Sequence, residues 1–336
     1  MNIVKSVALL LLFFISGCCP KKYNPEGFPP PPSCINVPEK IRVALVLGSG
    51  GVRGMAHVGV LHEFEKEGIE FDVLIGCSAG SLVASLYADN PDAESTKYAV
   101  ENMRADTLLD INLWECRFGL SQGRALKKML CKNLHSRDFE DLKIPLVVVA
   151  ADLWSGQLVP IGSGKLIPAV RASCSIPLLF VPVEVNGRIL VDGGIIDPVP
   201  VVVAKDLKAD LIIAVDLCEL LPKTFPTNLF GVASRSAEIA FLWQNQICTR
   251  GADVIIRPKM CNVGTFNDKM MGHLFEAGVE AAKAAIPRIK ELIAKLPEKK
   301  CDNSKSRVVQ LSCYHADDYI CQQEFMDRSQ VGVTQE

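Results

Sequence analysis

Val73-Leu74-Ile75-Gly76-Cys77-Ser78-Ala79-Gly80-Ser81-Leu82 is an apolar run that meets a Gly-Xaa-Ser-Xaa-Gly turn and continues in a helical pattern. A serine hydroxyl is a poor nucleophile unless it is held exposed beside a base and an oxyanion-binding site, and a tight strand-to-helix turn can hold it there. Gly76 and Gly80 leave such a turn uncrowded, because neither presents a Cβ where strand and helix backbones approach. The five-residue pattern is weak by itself. A strand from Phe71 to Ile75 before it and a helix from Ser81 to about Ala88 after it supply the context that the pattern needs. Ser78 is therefore the candidate nucleophile.

Upstream, Ile41-Arg42-Val43-Ala44-Leu45-Val46-Leu47 is a β-branched run that stops at glycine, as a buried parallel strand does. It leads into Gly48-Ser49-Gly50-Gly51-Val52-Arg53-Gly54, which opens a helix that reaches Glu67 and stops at Gly68. A dinucleotide-binding loop would need a glycine or alanine where Arg53 stands and an acidic residue about 20 positions on, at the end of the second strand. Cys77 and Ser78 occupy that strand end instead. The loop reads as an anion cradle, in which amides around Gly50, Gly51 and Val52 at a helix N-terminus face negative charge that develops during a reaction. Cradle and serine follow consecutive strands, and in an open parallel sheet such strand ends lie side by side at the carboxyl edge, where ligands bind.

Downstream, 89–142 reads as helical and irregular, with a helix starting within Gly119 to Leu126. Pro145 to Ala151 predicts a third buried strand, followed by a hairpin-like segment from Asp152 to Ile161. Pro177 stops the helix that precedes it. Val183 to Val191 predicts a β-hairpin with an Asn186-Gly187 turn and delivers Asp192-Gly193-Gly194. A carboxylate ending an apolar strand and followed by two glycines is costly unless it has a partner or a task, which singles out Asp192. Leu211 to Val215 and Val254 to Arg257 read as further strands. A last helix, about His273 to Leu296, places Ala282, Ile286, Ile289, Ile293 and Leu296 on one face and is interrupted by Pro287.

The 336 residues are 49% hydrophobic and 22% charged, the balance of a globular protein with a large core. A net charge of −2 without a basic block or aromatic-basic interleaving argues against nucleic acid as a partner. Lys5 precedes an apolar run from Val7 to Ile15, too short to span a bilayer and shaped like the core of a signal peptide. Ile15-Ser16-Gly17-Cys18 resembles the lipobox of bacterial lipoproteins, whose cysteine becomes the diacylated first residue of the mature chain. That resemblance implies export, a lipid anchor at Cys18 and a place in the bacterial cell envelope. The expected organisation is a signal peptide over 1–17, a lipidated Cys18 with a Pro-rich linker over 18–40, a folded domain over 41–297 and a polar, Cys-containing tail over 298–336. Of the 13 cysteines none forms a Cys-Xaa-Xaa-Cys pair, and no Cys/His cluster has zinc spacing, so no metal is expected. Cys77, Cys174 and Cys218 lie in apolar runs and read as small buried hydrophobes, whereas Cys301, Cys313 and Cys321 in the tail could pair in an oxidising compartment.

Residues 43 to about 295 resemble the patatin-like phospholipase family. Gly48-Xaa-Gly50-Gly51-Xaa-Arg53-Gly54 followed by Ala56-His57-Xaa-Gly59-Val60-Leu61 is similar to its oxyanion motif and helix, Gly76-Cys77-Ser78-Ala79-Gly80 to its serine elbow, Ala172-Ser173-Cys174-Ser175-Ile176-Pro177 to the block before the hairpin, and Asp192-Gly193-Gly194 to its aspartate motif. Ser49 stands where many members have glycine. The resemblance implies a three-layer α/β/α fold with a mostly parallel central sheet, a Ser78-Asp192 dyad without histidine, no cofactor, and a membrane phospholipid or other acyl lipid as substrate. Arg53 is expected to anchor the loop or a substrate phosphate, and the five histidines to be structural. Two other functions stay open from the residues alone: a Ser-Asp-His esterase of the α/β-hydrolase type, using His273 or His315, and a non-catalytic lipid-binding lipoprotein.

Overall fold

The β-branched runs of the sequence become the strands of one twisted sheet, and the glycine-rich turns between them fall at its carboxyl edge. The computed structural model describes residues 33–103, 110, 118–218, 221, 225–260, 268–297 and 306–315. The expected signal peptide, Cys18 and all but the end of the Pro-rich linker lie outside these residues.

In chain order the elements are β1 (Cys34–Pro38), β2 (Val43–Leu47), α1 (Met55–Lys66), β3 (Val73–Cys77), α2 (Ala79–Asp89), α3 (Ala93–Glu101), α4 (Arg124–Asn133), β4 (Leu146–Asp152), β5 (Leu158–Ile161), α5 (Leu166–Ser173), β6 (Val183–Val185), β7 (Arg188–Asp192), α6 (Val201–Asp206), β8 (Leu211–Val215), α7 (Leu229–Cys248), β9 (Val254–Ile256), α8 (Met271–Lys295) and β10 (Ser306–Gln310). The main sheet runs β6-β7-β4-β3-β2-β8-β9, with β5 on β4. Neighbours from β4 through β9 pair in parallel, and β5, β6 and β7 join antiparallel. β2 has β3 on one side and β8 on the other, so the order reverses there and the loop after β2 opens at the switch point where doubly wound sheets bind ligands.

The alternation of a strand divides the apolar residues between two cores. Leu45, Leu47, Leu74 and Val148 pack with α1, α2, α3 and α8 on one face. Ala44, Val46, Ile75 and Val147 pack with α6 and the β1–β10 pair on the other. The fold is thus three-layered α/β/α, as expected. The hairpin that ends in Asp192 has its turn at Asn186 (φ 51°) and Gly187 (φ 77°), the left-handed pair that a two-residue hairpin demands. Its register against β4 is pinned by a buried ion pair, Arg188 Nη1 to Asp152 Oδ2 at 2.8 Å. Leaving one such charge buried alone costs roughly 3–5 kcal/mol.

Two expectations are corrected. α8 is not interrupted at Pro287: it continues through to Lys295, because Ile286 and Ile289 on either side are buried and their packing outweighs the hydrogen bond that proline removes. The folded unit also exceeds the expected 41–297 limits. β1 pairs antiparallel with β10 across Cys34 to Gln310 and Pro38 to Ser306. Ile35, Val37, Leu311 and Tyr314 are buried in the second core, and Tyr314 Oη donates to Asp206 Oδ2 at 2.7 Å. These few apolar residues were obscured by proline on one side and charge on the other. Among the described cysteines Cys34, Cys77, Cys131, Cys174, Cys218, Cys248 and Cys313 are free thiols; Cys301 and Cys321 lie outside the described residues.

Candidate active site

Ser78 sits at the sharp turn between β3 and α2 with φ 52° and ψ −119°, a conformation that side chains rarely adopt and that is kept only when the surroundings enforce it. Close approach on both sides explains the flanking glycines. A Cβ on Gly80 would lie 2.0 Å from the carbonyl oxygen of Leu47, and one on Gly76 would lie 2.5 Å from Ser81 Cα. The turn is further held by hydrogen bonds: the Ser78 amide donates to Ser173 Oγ at 3.0 Å, and the Ser78 carbonyl accepts from Ser81 Oγ at 2.7 Å and from Cys174 Sγ at 3.2 Å.

Asp192, at the end of β7, meets Ser78 directly. Ser78 Oγ donates to Asp192 Oδ2 at 2.5 Å, and the Gly194 amide donates to Oδ1 at 2.8 Å. The Asp192 amide donates to the Ser175 carbonyl at 2.9 Å, so the block around Ser173 braces both partners. Burial raises the carboxyl from its ordinary value to about 6, and the bonds from Ser78 and Gly194 oppose that rise. The same burial raises the Cys174 thiol to about 12, so it stays protonated and acts as a donor. Direct contact between hydroxyl and carboxylate leaves no room for an intervening imidazole.

The cradle loop forms a 3-10 turn, Gly51–Gly54, in which Gly51 adopts φ 60°. The first amides of a helical turn have no partner within it, and Gly50 at the N-cap has no side chain with which to cap them. Gly51, Val52 and Ser78 line one cavity. The loop's other groups are fastened from behind. The Gly48 amide donates to Val215 O at 3.0 Å, the Ser49 amide to Pro198 O at 2.8 Å, Arg53 Nε to Gly50 O at 3.1 Å and His57 Nε2 to Gly48 O at 2.7 Å. Arg53 therefore anchors the loop. The His57 ring is fully buried, and burial lowers its pKa to about 4, so it is a neutral structural donor. His135 is tied to Asp89 at 3.0 Å, and His315 lies against Gln157.

Beyond the serine the cavity is apolar, lined by Leu82, Val83, Val100, Leu126, Phe180 and Met271 among others, and it opens to solvent at its mouth. Apolar walls around a few polar groups are the character of a small-ligand site. The bracing role of Ser173 and Ser175, and the lining residues from α3, α4 and α8, emerge only with the fold. The cluster of serines at 173 and 175 within an otherwise apolar stretch was the available signal; the lining residues carried none. Gly51→Val tests the cradle: a β-branched side chain at φ 60° twists the loop, and kcat of ester hydrolysis is expected to fall about 10²-fold or more with the protein still folded. Wild-type rates would count against the cradle.

Residues 45–205 match the family model described as patatin-like phospholipase. An NTE family protein of Mycobacterium tuberculosis is 36% identical over 176 residues, covering 52% of this chain and 49% of the relative. Lysophospholipase NTE1 of Pyricularia oryzae is 31% identical over 198 residues, 56% of this chain and 13% of that protein. The chain thus spans about half the length of the first relative and far less of the second. In structure it is similar to VipD from Legionella pneumophila, with a TM-score of 0.52 at 14% identity over 84% of this chain and 72% of that one, a likeness of fold.

Proposed function

From the patatin-like phospholipase domain that residues 45–205 carry, we propose that this protein is a serine acyl hydrolase that cleaves carboxylic esters of phospholipids or related acyl lipids through a Ser78-Asp192 dyad. The observation that carries the proposal is the 2.5 Å bond from Ser78 Oγ to Asp192 Oδ2 at the end of an apolar cavity. Ser78 Oγ attacks the ester carbonyl and its proton passes to Asp192. The negative charge on the carbonyl oxygen is met by the amides around Gly51 and Val52. Collapse breaks the ester bond, and the leaving alcohol takes the proton from Asp192. Asp192 then draws a proton from water, whose oxygen attacks the acyl-serine; collapse breaks the acyl–Oγ bond and frees the fatty acid as Ser78 Oγ takes the proton back from Asp192. The acyl chain occupies the apolar cavity. That a fungal relative is named a lysophospholipase supports a glycerophospholipid ester over a neutral one.

Fatty-acid release from phosphatidylcholine or lysophosphatidylcholine tests the activity, and the histidines test the mechanism. His135→Gln, His273→Gln and His315→Gln are each expected to keep hydrolysis within about threefold of wild type. Loss of roughly 10³-fold in any one folded variant would restore a triad and remove the dyad.

We further propose that Cys18 carries the acyl anchor that keeps the enzyme at the cell envelope beside its substrate. Among the described residues no helix is long and apolar enough to cross a membrane. Acyl chains contribute about 0.8 kcal/mol per buried CH₂, enough to hold a protein of slight net charge. Cys18→Ala is expected to release the chain from the membrane fraction on washing, since only reversible contact remains, and to abolish incorporation of labelled fatty acid; retention after washing with acyl label would contradict it.

A further inference from the structure

Large apolar side chains stand in solvent on segments that are tied either to the cavity lining or to the loop after Asp192. Leu178 is 79% exposed, lies between the lining residues Ile176 and Phe180, and is held at φ 72°. An exposed leucine in the left-handed region is unfavourable in both respects unless the position has a use. Its carbonyl accepts from the amide of Leu120, itself exposed. On the dyad side, the carbonyl of Ile195 accepts from Gln244 Nε2 of α7 at 2.8 Å, and the Phe241 ring lies 3.1 Å from where a Cβ on Gly194 would sit. α7 is fastened there, yet Leu229 at 80% and Trp243 at 67% exposure project away, with Val232 and Ile239 between them at a spacing that keeps all four on one face.

These segments carry almost no charge. Residues 118–121, 176–182, 193–196 and 225–229 contain no Asp, Glu, Lys or Arg, and the only charges of α7, Arg235 and Glu238, pair with each other at 3.0 Å. Apolar patches of more than a few hundred Å² on a protein surface mark protein or membrane contacts. Anionic lipid or an acidic partner would call for exposed cations among these side chains; the exposed cations nearest the lining, Arg124, Lys127 and Lys128 on α4 and Lys269 before α8, stand on other segments. The ties of the uncharged segments to an apolar cavity and to the dyad beside it fit the medium from which an acyl chain would come.

We propose that this uncharged rim, with the exposed face of α7, seats the cavity mouth in the interface of a zwitterionic phospholipid bilayer, so that an acyl chain enters the cavity without crossing water. The proposal rests on the acyl-hydrolase function above. An anchor at Cys18 would keep the domain near the membrane, whereas the rim orients it.

The test uses the mature chain from position 18 carrying Cys18→Ser, so that neither an acyl anchor nor the apolar run of the signal peptide contributes, and compares it with the same chain bearing Leu229→Ser/Trp243→Ser or, on a separate loop, Leu178→Ser. Co-sedimentation with phosphatidylcholine vesicles is measured at about 0.1 M and about 1 M NaCl, a range over which electrostatic attraction is screened. The parent chain is expected to partition equally at both salt concentrations, the Leu178 variant to partition about 10-fold less, the loss that one buried large apolar side chain implies, and the double variant about 100-fold less. Hydrolysis of vesicle lipid should fall in parallel, while hydrolysis of a water-soluble butyrate ester and the melting temperature stay unchanged. Unchanged partition in both variants would overturn the proposal, as would partition that disappears at high salt. It would equally be overturned if the α7 substitutions dissociated a dimer and left vesicle binding intact, since a second copy would then cover the face. A parent chain that docks through the rim but hydrolyses neither substrate would refute the hydrolase function and leave the docking surface standing.

Discussion

Asp192→Asn is expected to lower kcat for acyl hydrolysis by about 10³- to 10⁴-fold, because the amide cannot take the proton that Ser78 must lose. The residual structure should be intact: an asparagine keeps the acceptor for the Gly194 amide, and its size matches the site. The sign of the stability effect separates a catalytic carboxylate from a structural one. Burial raises Asp192 to about 6, above its ordinary 3.8, so the folded state binds a proton more tightly than the unfolded chain. Stability is therefore lost as pH rises from about 4 to about 6, and the ionised carboxylate costs up to about 3 kcal/mol at neutral pH. Asp192→Asn removes that cost and is expected to melt no lower than wild type at neutral pH. The wild-type rate should rise with pH through about 6, as the base ionises, and level off above it. A rate that falls through that range would exclude Asp192 as base.

Ser78→Ala is expected to abolish turnover altogether, since the nucleophile and the acyl intermediate go with the hydroxyl. Its effect on the fold should be about 1 kcal/mol or less, the net value of one hydrogen bond. Ser78→Gly is the informative companion. It is equally inactive, but the position holds φ 52°, where glycine is unstrained, so it should melt at least as high as Ser78→Ala. Inactivity together with undiminished stability in both variants would identify a side chain kept for chemistry. A variant retaining most of its turnover would move the nucleophile elsewhere.

The elbow at Ser78, the strand end at Asp192, the turn over Gly51 to Gly54 and the hairpin were legible in the sequence because their signals are local. A glycine pair at an elbow, an Asn-Gly turn and a carboxylate at the end of an apolar strand each contradict the surrounding pattern unless they have a purpose. What could not be read was placement. Ser173 accepts the Ser78 amide across 95 residues of chain, and Arg188 finds Asp152 across 36, contacts that depend on strand order and not on neighbouring residues. Leu126, Phe180 and Met271 are ordinary apolar residues until the fold brings them to one cavity. The β1–β10 pair was missed for a different reason: its exposed face alternates polar with apolar residues on both strands, and a five-residue amphipathic run beside proline or charge carries little signal. At Pro287 the local rule was sound, and buried packing on both sides overrode it.

The central claim, that Ser78 is a nucleophile activated by Asp192, is tested most directly by treating the purified full chain with a fluorophosphonate probe and mapping the labelled peptide. One adduct is expected, on Ser78, absent in Ser78→Ala and strongly slowed in Asp192→Asn. A folded wild-type protein that takes up no label, or that is labelled on another serine, would contradict it.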